Sequence, residues 1–142
     1  MQTIPLSHLP GSDEVIRCYG EWPCFHDAEI VNLKLARKSV SWVTISLETS
    51  SGSEDDDEIE AIRFYLYDVL DLSLRDFSIQ NVIGGVWIEP AEVGTKISFG
   101  YCFGLYGWIQ ARFIKVAVIN HKSREASNGA PAIDAPPTNT PV

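Results

Sequence analysis

The chain has 142 residues, of which 45% are hydrophobic, and its 11 basic and 19 acidic side chains give a net charge of −8. That length suits one domain with a real core, and four Trp, five Tyr and six Phe exclude a chain that is disordered throughout. The negative field works against nucleic acid and anionic membrane as partners and favours a basic protein.

Residues 1–20 read as an irregular N-terminal segment punctuated by Pro5, Pro10, Gly11 and Gly20, with a short helical turn capped by Ser12 or Asp13 and running to Cys18. Residues 21–120 read as a β domain. Val31, Leu33 and Leu35 alternate with Asn32 and Lys34, as a half-buried strand does, and Val43, Ile45 and Leu47 alternate with Trp42, Thr44 and Ser46. Arg37-Lys38-Ser39 is the expected hairpin connection between them. Further on, Ile62, Phe64 and Leu66 alternate with Arg63, Tyr65 and Tyr67, and Leu70, Leu72 and Leu74 with Asp71, Ser73 and Arg75. Gly84-Gly85 is a turn or bulge signal after Val82 and Ile83. Val86 to Glu89, then Ile97, Phe99, Tyr101 and Phe103, and finally Trp108 to Ile119 supply the remaining strands. The expected fold is mainly β: an antiparallel sandwich or partly open barrel of about six to eight strands, with little helix. Residues 121–142 contain four prolines and no aromatic residue, and read as a flexible Pro-rich tail.

No stretch approaches the roughly 18 consecutive apolar residues that span a bilayer. The N-terminus has neither a basic region nor an apolar core of a secretory signal, and three cysteines make a poor disulfide framework, so a cytoplasmic setting is expected. No P-loop, dinucleotide glycine pattern or nucleophile elbow is present, and no cofactor is expected. Gly100, Gly104 and Gly107 fit close backbone packing or bulges better than a phosphate cradle.

Two features could carry function. Glu54, Asp55, Asp56, Asp57, Glu58 and Glu60 form an acidic run, and neutralising these six would bring the net charge from −8 to −2. The run is either a solubilising loop or an electrostatic lure for a basic partner. Its spacing lacks the Gly-centred pattern of an EF-hand calcium loop. The second feature is Trp22-Pro23-Cys24-Phe25-His26-Asp27-Ala28-Glu29. Imidazole beside carboxylate admits a metal-dependent enzyme built on His26, Asp27 and Glu29, although adjacent strand residues point to opposite faces. The plainer reading has Asp27 in a turn and His26 in a buried hydrogen bond. Cys18, Cys24 and His26 with Cys102 match no common zinc spacing, and cysteines that merely pack are the simpler account. A small-ligand domain would instead place Tyr65, Tyr101 and Trp108 around an open apolar cavity.

The stretch from Trp22 to Ile30 resembles the opening motif of bacterial immunity protein family 50, which is associated with polymorphic toxin systems. Asp76-Phe77-Ser78-Ile79-Gln80-Asn81-Val82-Ile83 is similar to that family's second recognisable stretch, and Gly107 before a closing strand fits too. The resemblance spans about residues 20 to 119. It implies a cytosolic β-rich immunity protein that binds and neutralises a cognate toxin domain without catalysis, and it carries no catalytic residues. The candidate contact residues are then the acidic run with Trp22, Phe25, His26 and Asp27, and self-association stays open.

Overall fold

A computed structural model describes residues 9–47 and 60–120. In chain order these form α1 (Ser12–Tyr19), β1 (Glu29–Lys34), β2 (Ser41–Ser46), β3 (Glu60–Arg75), β4 (Val82–Pro90), β5 (Thr95–Phe103) and β6 (Tyr106–Asn120). The strands close into an antiparallel ring in the order β1-β2-β3-β6-β5-β4. The mainly β, antiparallel expectation holds, and six strands form a barrel rather than two stacked sheets. Two three-strand meanders meet along the long β3–β6 pairing, which runs from Glu60 opposite Asn120 to Arg75 opposite Tyr106. The other closure is short: Glu29 lies opposite Val82, and the backbone N–H groups of Asp27, Ile30 and Ile83 donate to Ile83, Asn81 and Ala28 at 2.8–2.9 Å.

The interior is filled by alternate strand residues, among them Ile45, Ile62, Phe64, Leu66, Ile83 and Ile97, all fully buried. A packed small barrel of this kind leaves its chemistry to the outside and the rims. The inward sets expected in β2, at the start of β3 and at the start of β5 are observed. Two departures have a common cause, an extra residue that shifts the side-chain phase. In β1, Ile30 pairs with Ile45 and Asn32 with Thr44, so Val31 is unpaired; Ile30 is buried, while Val31 and Leu35 are exposed. In β3, Val69 pairs with Ala111 and Asp71 with Gln110, so Leu70 is extra. Leu70, Leu72 and Leu74 extend the preceding strand, yet only Leu74 packs on the core.

A bend shared by β3 and β6 precedes that bulge. The buried series in β3 steps from Phe64 and Leu66 to Val69, and in β6 from Val116 and Ile114 to Ala111 and Ile109. Asp68 sits at the bend with φ 63, and its Oδ2 accepts from Arg112 Nε at 2.7 Å.

Ahead of β1, residues 9–20 pack a short helix against the barrel. α1 is a full eight residues, it begins after Gly11 without a side-chain cap, and Val15 and Leu9 belong to the main core. Because β5 pairs with β6 only between Gly107 and Ala111, the rest of β6 has an edge to be covered. Pro10 covers part of it, its carbonyl accepting the Val116 N–H at 2.9 Å. Gly11 passes so close to the Val116 carbonyl that a Cβ would collide with it, and its φ of 94 suits glycine alone. No helix among the described residues is long and apolar enough to cross a membrane.

Candidate protein-binding surface

Residues 22–30 and 76–83 meet at the β1–β4 seam. Ahead of β1 the chain turns through Phe25–Ala28, with the Ala28 N–H donating to the Phe25 carbonyl at 3.0 Å. Asp27 takes a left-handed conformation, φ 72, which Asp tolerates better than most residues. That conformation lets its N–H reach the Ile83 carbonyl while its carboxylate stays outside, 3.3 Å from His26 Nδ1. His26 is therefore exposed rather than buried as the plainer reading had it. Phe25, expected at a partner contact, belongs to the core: it is 4% exposed and its ring lies 5.9 Å from that of Phe64. Trp22 is half-buried against it at the same centroid distance.

Opposite this turn, Asn81 ties three segments together. Its Oδ1 accepts from the Ser78 and Leu105 N–H groups, each at 2.9 Å; its Nδ2 donates to the Ser78 carbonyl at 2.8 Å; and its own carbonyl accepts from Ile30. Gly104 keeps φ 90 in the β5–β6 turn, where a Cβ would lie 2.7 Å from Asn81 Oδ1. Nothing in the sequence singled out Asn81; the only local hint is a polar residue directly before an apolar strand.

With the loop so anchored, a groove of about 390 Å³ opens between it and β1, lined by Glu29 to Leu33, Phe77, Ser78, Ile79 and Asn81. Its rim is apolar and solvated: Val31 is 53% exposed, Phe77 67% and Ile79 99%. Large side chains left this bare commonly mark a contact surface.

Beyond the groove lies the outer face of β1–β2–β3–β6. Asn32, which lines the groove, accepts from Trp42 Nε1 at 2.6 Å. The register places Lys34, Trp42, Tyr65 and Lys115 in one row and Asn32, Thr44, Arg63 and Ala117 in the next. Lys34 Nζ and Arg63 Cζ each stand 4.5 Å from the Trp42 ring centre, and Arg63 also lies 5.8 Å from Tyr65. Arg63 is only 7% exposed. Its Nε donates to Thr44 Oγ1 at 2.9 Å, and among the described residues neither Nη has a partner and no carboxylate is within ion-pair distance. A cation–π contact returns about 0.5–2 kcal/mol. Burying a charge costs several kcal/mol. The aromatic rings therefore offset only part of the cost.

The remaining sequence candidates are dispersed. Glu54 to Glu58 lie outside the described residues, and of Glu60 only the backbone, opening β3, is described. Glu29 faces the groove, apart from the His26–Asp27 turn. Tyr65, Tyr101 and Trp108 each have their own neighbour: Tyr65 meets Trp42, Tyr101 meets Tyr106, and Trp108 lies under Lys96. Cys18, Cys24 and Cys102 are exposed thiols rather than packed ones, with Cys102 Sγ 4.0 Å from Asp27 Oδ1. Among the described residues no group of three His, Cys, Asp or Glu side chains could hold a metal ion. Burial pushes the Tyr67 phenol above its ordinary pKa, and the neighbouring Tyr65 adds to the shift.

No known protein family matches the chain, and no characterised protein or solved structure is significantly similar to it.

Proposed function

We propose that this chain is a cytoplasmic immunity protein that binds a cognate toxin domain and neutralises it by covering the toxin's working surface, with no catalysis of its own. The observation that supports the reading is the bare apolar rim of Val31, Phe77 and Ile79 around the seam groove, since this is the composition of a contact surface. The two motif stretches that resemble the immunity family build that seam, so the resemblance and the groove point to one place. A partner seated there would bury about 800 Å² of this chain, a standard-sized interface that could reach His26 and Asp27. The acidic run Glu54–Glu60 would act at longer range by raising the association rate of a basic toxin surface.

The test is affinity capture from the source lysate with three baits: wild type, the Ile79→Ser variant, and a variant with the six acids of the run neutralised. The expected result is capture of a toxin domain that Ile79→Ser weakens by about ten-fold, as removal of a central apolar anchor does. Neutralising the run should slow association and leave dissociation unchanged. Capture that is indifferent to Ile79→Ser would move the interface off the seam. A bait that retains no toxin domain would remove the immunity reading.

A further inference from the structure

The net charge of −8 suggests a basic partner, yet the outer face next to the groove has the opposite character. Lys34, Arg63 and Lys115 project from β1, β3 and β6 across two adjacent rows, with Trp42 and Tyr65 between them. Among the described side chains, the acidic ones nearest this face in the register are Glu29, one row beyond Arg63, and Asp68, which is already paired with Arg112. Its described part is locally cationic although the chain as a whole is acidic.

We propose that this face is a carboxylate-binding site for an acidic segment of a partner protein, with Arg63 as its centre and Lys34 as its second cation. Arg63 carries the argument. Its side chain is more than nine-tenths buried, its one hydrogen bond uses Nε, and its two Nη groups have no partner among the described residues. Neither Nη is completely sealed from solvent. A guanidinium offers two parallel donors that match the two oxygens of a carboxylate. Thr44 on one side and the Trp42 ring on the other hold the group in place, so little side-chain freedom remains to be lost on binding. Lys34 Nζ stands over the same ring at the same distance from its centre, so a second positive charge lies on this face beside Arg63.

A polyphosphate chain would suit the cations as well, but the face is continuous with an apolar groove rimmed by Val31, Phe77 and Ile79, which is the composition of a protein contact and favours an acidic peptide segment. The site is continuous with the seam, because Asn32 lines the groove and accepts from the Trp42 indole. It thus rests on the reading of the chain as a protein binder and adds the chemistry of what that partner presents beside its apolar contact. Trp, Tyr and Arg are also the side chains in which binding energy concentrates at protein interfaces.

The experiment uses the full chain and hexaglutamate as the probe, with inorganic phosphate and a single-stranded oligothymidylate as comparators. Binding is followed through the indole N–H resonance of Trp42, assigned with Trp42→Phe. Hexaglutamate should shift that resonance saturably and more tightly than either comparator. Arg63→Gln should weaken it about ten-fold or more, as loss of a bidentate ion pair does, and Arg63→Lys should recover part of the loss. Because Arg63 is buried, Lys34→Gln serves as the variant that leaves packing untouched, and it should weaken binding several-fold. No saturable shift at Trp42, equal affinity in Lys34→Gln, or tighter binding of phosphate or oligothymidylate overturns the site. A toxin domain captured from lysate without any hexaglutamate effect overturns the site and leaves the immunity reading standing. The full peptide result without toxin capture supports the site and removes the immunity reading.

Discussion

Asn81 Oδ1 and the backbone N–H of Leu105, 24 positions apart in sequence, are joined by a 2.9 Å hydrogen bond that is closed off from water. The same oxygen holds the Ser78 N–H, so one amide side chain sets both the loop that rims the groove and the β5–β6 turn beneath it. Asn81→Ala leaves buried groups unpaired, at about 1–3 kcal/mol each. A total loss of about 2–4 kcal/mol in urea unfolding is expected. Ser78→Ala keeps both backbone bonds and should change stability by less than about 0.5 kcal/mol. Equal effects of the two substitutions would show that Asn81 does not anchor the loop.

Asp68 separates two contributions at the barrel bend, its exposed ion pair with Arg112 and its left-handed backbone. Exposed pairs contribute about 0–1 kcal/mol. A residue held in the left-handed region costs about 1–2 kcal/mol more when its side chain cannot hydrogen-bond locally, and β-branched residues suffer most. Asp68→Asn should therefore be nearly neutral and Asp68→Val clearly destabilising, both read from denaturant midpoints. The reverse order would mean that the ion pair, and not the backbone, holds the bend.

Much of the barrel is legible as alternation. Val43 and Ile45, then Ile62, Phe64 and Leu66, then Ile97 and Phe99 bury the residues their period marks. Alternation fails at Val31 and Leu70, because a bulge shifts the phase by one residue and leaves no local signature where no glycine or proline marks it. Gly84-Gly85 did announce the irregularity in β4, where Ile83 and Val86 pair across it with Tyr101 and Phe99. The surface was less legible for a different reason. Trp42, Arg63 and Lys34 are separately readable as outward residues, but their meeting on one ring depends on the register of three strands. Asn81 belongs to no period, and its partner lies on a distant turn.

The motif around His26 divides into a structural and a free half. Phe25 is wedged between Trp22 and Phe64, and truncating such a ring costs about 3–5 kcal/mol. Among the described residues the one polar partner of His26 is the Asp27 carboxylate, and the imidazole is largely exposed, so His26→Ala should leave stability within about 0.5 kcal/mol. Thermal unfolding of Phe25→Ala and His26→Ala checks this directly. A large loss in His26→Ala would assign the imidazole to holding the strand entry and take it off the contact surface.

Tyr67 gives the barrel an expected alkaline sensitivity. Its phenol is raised first by burial and then by the charge Tyr65 acquires, so the folded state holds the proton beyond the ordinary pKa of about 10. The folded chain then binds more protons than the unfolded one in that range. The contribution to stability is complete below the unfolded pKa and is lost as pH rises through the higher folded value. Tyr67→Phe should flatten the fall of the urea midpoint above a pH of about 10, and Tyr65→Phe should flatten it less, because burial is the larger cause. Phenolate absorbance of the folded chain should lose a late-titrating component in Tyr67→Phe. If the midpoint falls as steeply in Tyr67→Phe as in wild type, the alkaline loss belongs to other groups and burial of the Tyr67 phenol does not govern it.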